Sequence, residues 1–306
     1  MNNTIRVTDA QVGSVVQALA STGLPAVSAY DVGKAFFLKT TRTLSNNPKH
    51  LFFSLVEQLQ SVKLLTKLPL NNGKHAYLLF GHSSATAQEI ACSLDPFAYV
   101  SHLSAMEYHG LTDRFPKIVL MSTPPSSDWR KQALEKMHRD LDGRFDEYIA
   151  NGLPKLTKLN LLKIGKTSIQ FHERSQLGAF RNVANSPLRI ATIGRVFLDM
   201  VREPQLCGGI QHVIDVFLSE AKRHLRYIID EVEQHGTPID KVRSGFLLEE
   251  VCNLSDPAIE KWVAYAQRGG SRKLDPEGEY FPHFSDRWKL SINVPSLTGR
   301  GNDIDE

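Results

Sequence analysis

Cysteine is scarce: Cys92, Cys207 and Cys252 are the three in 306 residues, far apart and with no C-x-x-C pair. Neither a disulfide framework nor a cysteine-rich zinc site can be built from them, and the expected setting is reducing and cytoplasmic. Long apolar runs are lacking as well. No stretch approaches the roughly 18 residues of a membrane-spanning helix, so no membrane partner is expected. Residues 1–6 hold no apolar segment of the secretory kind. Internal repeats and low-complexity tracts are missing, as are G-x-S-x-G, H-E-x-x-H and G-x-G-x-x-G. None of the site types that depend on those motifs is expected.

What is present is an ordinary globular composition, 42% hydrophobic and 23% charged. It excludes a disordered, collagen-like or coiled-coil chain. At about 100–200 residues per domain the length predicts two domains, possibly three. The net charge of +3 hides an asymmetry: residues 1–85 carry eight Lys/Arg against three Asp/Glu, and the remainder carries 28 against 30. A basic first quarter on a slightly acidic remainder points to a polyanion as the partner of that quarter.

The first 85 residues read as three helices and a hairpin. Thr8-Asp9 opens the first, with Asp9 able to cap it, and Val12, Val15, Val16 and Leu19 recur at helical spacing before Gly23 and Pro25. Ser28 can cap a second helix from Ala29 to about Leu38. A polar stretch, 39–47, should be loop. Asn47-Pro48 opens a third helix, since proline suits its first position; Leu51, Phe52, Leu55, Leu59 and Val62 form its expected core stripe. Asn72-Gly73 between apolar segments is a hairpin signal. Three helices and a hairpin are the plan of a winged helix-turn-helix, whose third helix enters the major groove while the hairpin reaches phosphates.

The candidate DNA-binding residues follow from that plan. Lys49 and His50 stand at the third helix's N-terminus, which favours a phosphate. Ser54, Gln58 and Ser61 can meet base edges. Lys67, Lys74 and His75 on the wing would contact phosphates. Arg42 in the preceding loop, Asn47 at the helix start and Asn72 at the hairpin tip complete the set. The alternative is a third helix whose polar face is merely solvated.

Residues 81–95 read as a linker. Beyond it, a helix is expected over 99–110, a strand over 117–122, a helix from Asp128 to about Leu141 and a strand pair over 161–171. Further helices are expected from about Thr192, at about 210–218, through Ile228-Ile229, and over 242–251 and 259–267, then a strand-like stretch at 288–294. The fold class is therefore α/β (α+β): a winged helix-turn-helix over 1–85, a mixed α/β domain over 86–295 and a disordered tail over 296–306.

Other motifs have bland readings. Gly165-Lys166-Thr167 matches the end of a phosphate-binding loop, but Asn160 stands where the earlier glycine is needed, and a hairpin turn fits better. Gly269-Gly270-Ser271 with Asp275 and Glu277 resembles the metal-binding acids of nucleotidyltransferases, although the acids follow too closely and Pro276 breaks the strand. His102 and His109 are two turns apart, too far for a metal pair. Cys207 and His212 do not stand out as a catalytic pair. Arg195 and Asp199, at i and i+4 in an otherwise apolar helix, read as a salt bridge holding that helix in place. No catalytic residue, metal site or cofactor is expected.

Tyr99-Val-Ser-His-Leu-Ser-Ala-Met-Glu-Tyr-His-Gly-Leu-Thr112 resembles the Ser-Ala…His-Gly-Leu segment of AbiEi-type antitoxins, the transcriptional regulators of abortive-infection toxin–antitoxin pairs. The strand 118–124 lies where that family has one. Ile190-Ala-Thr-Ile-Gly-Arg-Val-Phe-Leu-Asp199 is similar to its Glu-Arg-Thr-Leu-Leu-Asp helix, with Gly194 where the glutamate is usual. Arg202–Ile210 and Arg243–Glu249 continue the match, which spans about 99–251. The 39–47 loop is longer than the family's, and the basic 268–273 loop lies outside its common core. The resemblance implies a repressor that binds inverted repeats in its own promoter, with double-stranded promoter DNA as one partner and a nucleotidyltransferase toxin as the other. Two rivals are a nucleotidyl- or phosphotransferase acting through the C-terminal domain, and a protein-binding module.

Overall fold

The computed structural model describes residues 7–40, 47–70, 74–267 and 272–298. Arg42, Asn72 and the Gly269-Gly270-Ser271 run lie outside the described residues. The class is mixed α/β, as expected. In chain order the elements are α1 (Asp9–Ala20), β1 (Ala26–Ser28), α2 (Ala29–Thr40), α3 (Pro48–Ser61), β2 (Leu65–Lys67), β3 (Ala76–Leu79), α4 (Ala87–Leu94), β4 (Tyr99–Val100), α5 (His102–Tyr108), β5 (Ile118–Thr123), α6 (Ser126–Asp140) and α7 (Phe145–Ala150). Then come β6 (Lys163–Ile164), β7 (Thr167–Glu173), β8 (Phe180–Asn182), β9 (Arg189–Ala191), α8 (Ile193–Arg202), α9 (Ile210–His235), α10 (Pro238–Phe246), α11 (Pro257–Trp262) and α12 (Pro295–Thr298). One sheet has the order β1-β3-β2 and a second the order β6-β7-β5-β4-β9-β8.

The chain forms two compact units: Met1–Tyr99 with Ser122–Ser175 and Asn182–Arg189, and Val100–Met121 with Gln176–Arg181 and Ile190–Glu306. The first unit thus extends well past residue 85. Its core explains why: Val15, Leu19, Phe36, Phe37, Leu55 and Leu59 share one apolar cluster with Trp129, Met137 and Tyr148. Gly33 on α2 gives Tyr148 its place, since a Cβ there would stand 2.6 Å from the phenol oxygen. The division sharpens the charge asymmetry. The first unit holds 19 Lys/Arg against 12 Asp/Glu and the second 17 against 21.

The expected linker is structured. Thr86 and Glu89 form a capping box at the start of α4, and Ile90, Ala91, Cys92 and Leu94 are buried. Its end is tied down by Arg189, which donates to the carbonyls of Cys92 and Asp95, both at 2.6 Å, and of Ala98 at 2.7 Å. A guanidinium satisfies carbonyls left open by the last helical turn. At the other end of the chain, residues 296–298 of the expected tail lie in α12, and 299–306 are outside the described residues. The stretch 288–294 is not a strand: Ser291 makes isolated bridges to Lys273 and Phe284. Its shape is set by Trp288, fully buried, whose ring lies where a Cβ on Gly245 would stand 2.1 Å away.

In the second unit α8 packs along the 26-residue α9, which runs unbroken where two or more shorter helices were expected. Phe197 meets Phe217 edge to face at 5.0 Å. Gly194 permits the approach: a Cβ there would stand 2.2 Å from the Tyr227 carbonyl oxygen. Gly194→Ala is therefore expected to destabilise the protein by about 1–3 kcal/mol. Gly13 is the contrast, exposed on α1 with nothing within 4 Å of an added Cβ. Gly13→Ala should stabilise by about 0.5–1 kcal/mol, because alanine loses less backbone entropy in a helix. Urea unfolding of the two variants checks both signs.

Arg195 and Asp199 form the ion pair anticipated from their spacing, Nε to Oδ1 2.8 Å, both fully buried, with Glu231 3.7 Å from the same guanidinium. His102 is buried and bonded to Glu203 at 3.0 Å and to the Ser101 hydroxyl at 2.8 Å, and His109 donates to the Ala191 carbonyl at 2.7 Å. Both are packed histidines, as expected. Gly165 sits at positive φ in the β6–β7 hairpin, so Gly165-Lys166-Thr167 is a turn.

Burial lowers the pKa of His109, His212 and His224, helped by the positive Arg181, Arg114 and Arg223 beside them respectively. These groups stay neutral in the fold at a pH where the unfolded chain, titrating near 6.5, already binds protons. Their contribution to stability is complete above that value and is lost as the pH falls toward their lowered pKa values. The melting temperature should drop between pH 7 and 5.5; scanning calorimetry over that range tests this, and a flat or rising profile would count against it.

Candidate nucleic-acid interface

The third helix is built by local rules. Asn47 caps it, its side-chain oxygen accepting from the His50 backbone N–H at 3.2 Å, and Pro48 occupies the first turn. It ends in a left-handed residue, Lys63 at φ 59°, with the Leu64 N–H returning to the Leu59 carbonyl at 2.9 Å. That bond satisfies a carbonyl the helix leaves open. Leu51, Phe52, Leu55, Val56 and Leu59 face the core. Val62, expected in that stripe, is 58% exposed, because the helix stops at Ser61 and the chain turns there.

The outward face carries Lys49, His50, Phe53, Glu57 and Ser61, all exposed and about one turn apart. Ser54 and Gln58 flank it, half-buried. Ser61 uses its hydroxyl to donate to the Gln58 carbonyl at 2.8 Å. The reading from sequence missed Phe53, 47% exposed and edge-on to Phe52. Its apolar character hid it among core candidates.

After α3 the chain forms β2 and β3, antiparallel with Lys67 opposite Tyr77, and β1 adds to the other side of β3 with Val27 opposite Tyr77. Lys67 is exposed. Lys74 and His75 are not free in the way expected. One Lys74 ammonium N–H is donated to the backbone carbonyl of Lys158, and His75 is half-buried, its carbonyl accepting from the Ala29 N–H at 3.0 Å. Asn47 likewise spends its side chain on the cap.

Tertiary structure adds a cation that sequence reasoning missed. A cleft of about 900 Å³ within the first unit is bounded by β2 and its loop, the start of α4 and the β6–β7 hairpin, with Lys67 and Lys163 among its lining. Lys166, exposed, stands at the hairpin's turn. The turn was legible in Gly165-Lys166; its place beside the wing, 98 residues on from Lys67, was not. Lys158, near the same hairpin, is held by Glu173 at 2.9 Å and the Pro124 carbonyl at 3.1 Å.

Among the described residues no group of His, Cys, Asp and Glu could hold a metal ion, and no helix is long and apolar enough to cross a membrane. No family model matches the chain, and no curated protein matches it. Among solved structures it is similar to the crystal structure of the RV2827C protein from Mycobacterium tuberculosis, at 13% identity over 97% of each chain and a TM-score of 0.46. A likeness of that size carries neither a fold nor a function from one protein to the other.

Proposed function

We propose that this chain is a DNA-binding transcriptional repressor whose first unit holds a winged helix-turn-helix. The observation that carries the reading is the element order α1-β1-α2-α3-β2-β3 with strand order β1-β3-β2, joined to an excess of cations in the same unit. α3 enters the major groove by its outward face. Glu57 and Gln58 have the chemistry to read base edges, a carboxylate accepting from cytosine and an amide pairing with adenine. Lys49, Lys67, Lys163 and Lys166 hold phosphates and set the register without reading sequence. The resemblance to AbiEi-type antitoxins extends the proposal: the operon repressed is the chain's own, and the second partner is a nucleotidyltransferase toxin encoded beside it.

Fluorescence anisotropy with labelled duplex from upstream of the gene, against a shuffled duplex of equal length, tests the first part. Binding at 50 mM salt with at least a thousand-fold preference for the upstream duplex is expected. No binding to either at low salt would sink it. Growth of cells expressing the adjacent gene, with and without this chain, tests the second.

A further inference from the structure

A second cleft, of about 490 Å³, lies entirely within the second unit. It falls in the size range of small-molecule sites, which are concave and carry a few convergent polar groups. Its lining is polarised. Arg181, from β8, shares the lining with two imidazoles, His109 at the end of α5, whose ring N–H is donated to the Ala191 carbonyl, and His224 on α9, 3.8 Å from Glu220. Asp230 and Gln234, about two and three turns further along α9, supply an acceptor and an amide. Tyr227 stands between the two groups, 62% exposed. The neighbouring Glu231 is already engaged with Arg195 and, at 3.4 Å, with the Ala179 N–H. Asp230 is thus the carboxylate on this stretch of α9 that the fold does not use. The helix pairing does not require Arg181, Tyr227 or Asp230, all exposed, to be the residues they are.

We propose that this cleft binds a nucleoside 5′-monophosphate. The ligand must be anionic at one end, to meet the Arg181 guanidinium. It must offer N–H or O–H donors at the other, to meet Asp230 and Gln234, and have a flat ring between, to lie on Tyr227. A guanidinium is a strong, bidentate donor to phosphate oxygens, and base–aromatic stacking adds sequence-tolerant affinity. An inorganic anion leaves Tyr227 and Asp230 without partners, and a purely apolar ligand leaves Arg181 unmet. The site belongs to the other unit from the proposed DNA-binding face and does not depend on that reading.

The experiment is isothermal titration of the full chain, without DNA, using the four ribonucleoside 5′-monophosphates and inorganic phosphate as probes. Saturable binding of at least one nucleotide is expected. Arg181→Ala should weaken it ten-fold or more, and Tyr227→Ala several-fold. Asp230→Asn should change the preference among the four bases more than the mean affinity. All three positions are exposed, and circular dichroism melts would verify that the variants fold. Binding unchanged in Arg181→Ala would overturn the site, as would no heat with any probe at millimolar concentration. Equal affinity for phosphate and nucleotide would overturn the nucleoside assignment.

Discussion

Arg195→Met is expected to cost about 3–5 kcal/mol at pH 7, the penalty for leaving buried charge unpaired. Asp199 has no solvent exposure and Glu231 is 6% exposed, and both face the one guanidinium. Removing it strands two carboxylates in a low-dielectric site, where each favours its protonated form. The variant should therefore regain stability as the pH falls. Each proton that neutralises a stranded carboxylate relieves the cost of its buried charge and so favours the fold. The double change Arg195→Met/Asp199→Leu should be milder than the single one, because an apolar pair leaves one fewer unpaired charge. Urea midpoints at pH 7 and 5 for the two variants give the test. A double variant as unstable as the single would show that the pair acts through packing alone. Packing does enter, since a Cβ on Gly178 would stand 2.2 Å from the Arg195 side chain. The guanidinium fills a slot that glycine leaves.

The second large effect concerns DNA. With Lys49, Lys67 and Lys163 all changed to alanine, affinity for the upstream duplex should fall by about 100-fold or more at 100 mM salt. The dependence of log K on log salt should become shallower by about 3, because each phosphate contact releases roughly one counterion. The loss should be similar on specific and shuffled DNA, since these lysines carry no sequence information. Gln58→Ala should behave in the opposite way, lowering specific binding while leaving the salt slope unchanged. All three lysines are exposed, so the triple variant should melt within about 1 kcal/mol of the parent. Lys163 is the informative member. A double variant that keeps it tests whether the β6–β7 hairpin contributes, and an unchanged slope on restoring Lys163 would remove the hairpin from the interface.

Much of the secondary structure was legible because its causes are local. Helix α3 could be read from Asn47-Pro48 and an apolar stripe, and the Gly165 turn from its own residues. The Arg195–Asp199 pair could be read from a four-residue spacing. At the start of α1 the capping residue is Thr8 rather than Asp9, with Gln11 completing a capping box. A one-residue misreading of that sort leaves the element intact.

The errors have a common source in distance along the chain. Residues 81–95 looked like a linker because α4 is only eight residues long and its support comes from Arg189. Lys74 looked like a free wing cation, and the carbonyl that holds it belongs to Lys158. The span 1–85 looked like a whole domain, whereas its core is completed by Trp129 and Tyr148. The scarcity of cysteine and the absence of long apolar runs bounded the class from composition alone. Capping, periodicity and turn chemistry then determined elements, because each acts within a few residues. Which elements share a core, and which cations stand free on one face, was decided by tertiary contacts. Those depend on side-chain volumes and hydrogen-bond partners that meet only once the chain has folded.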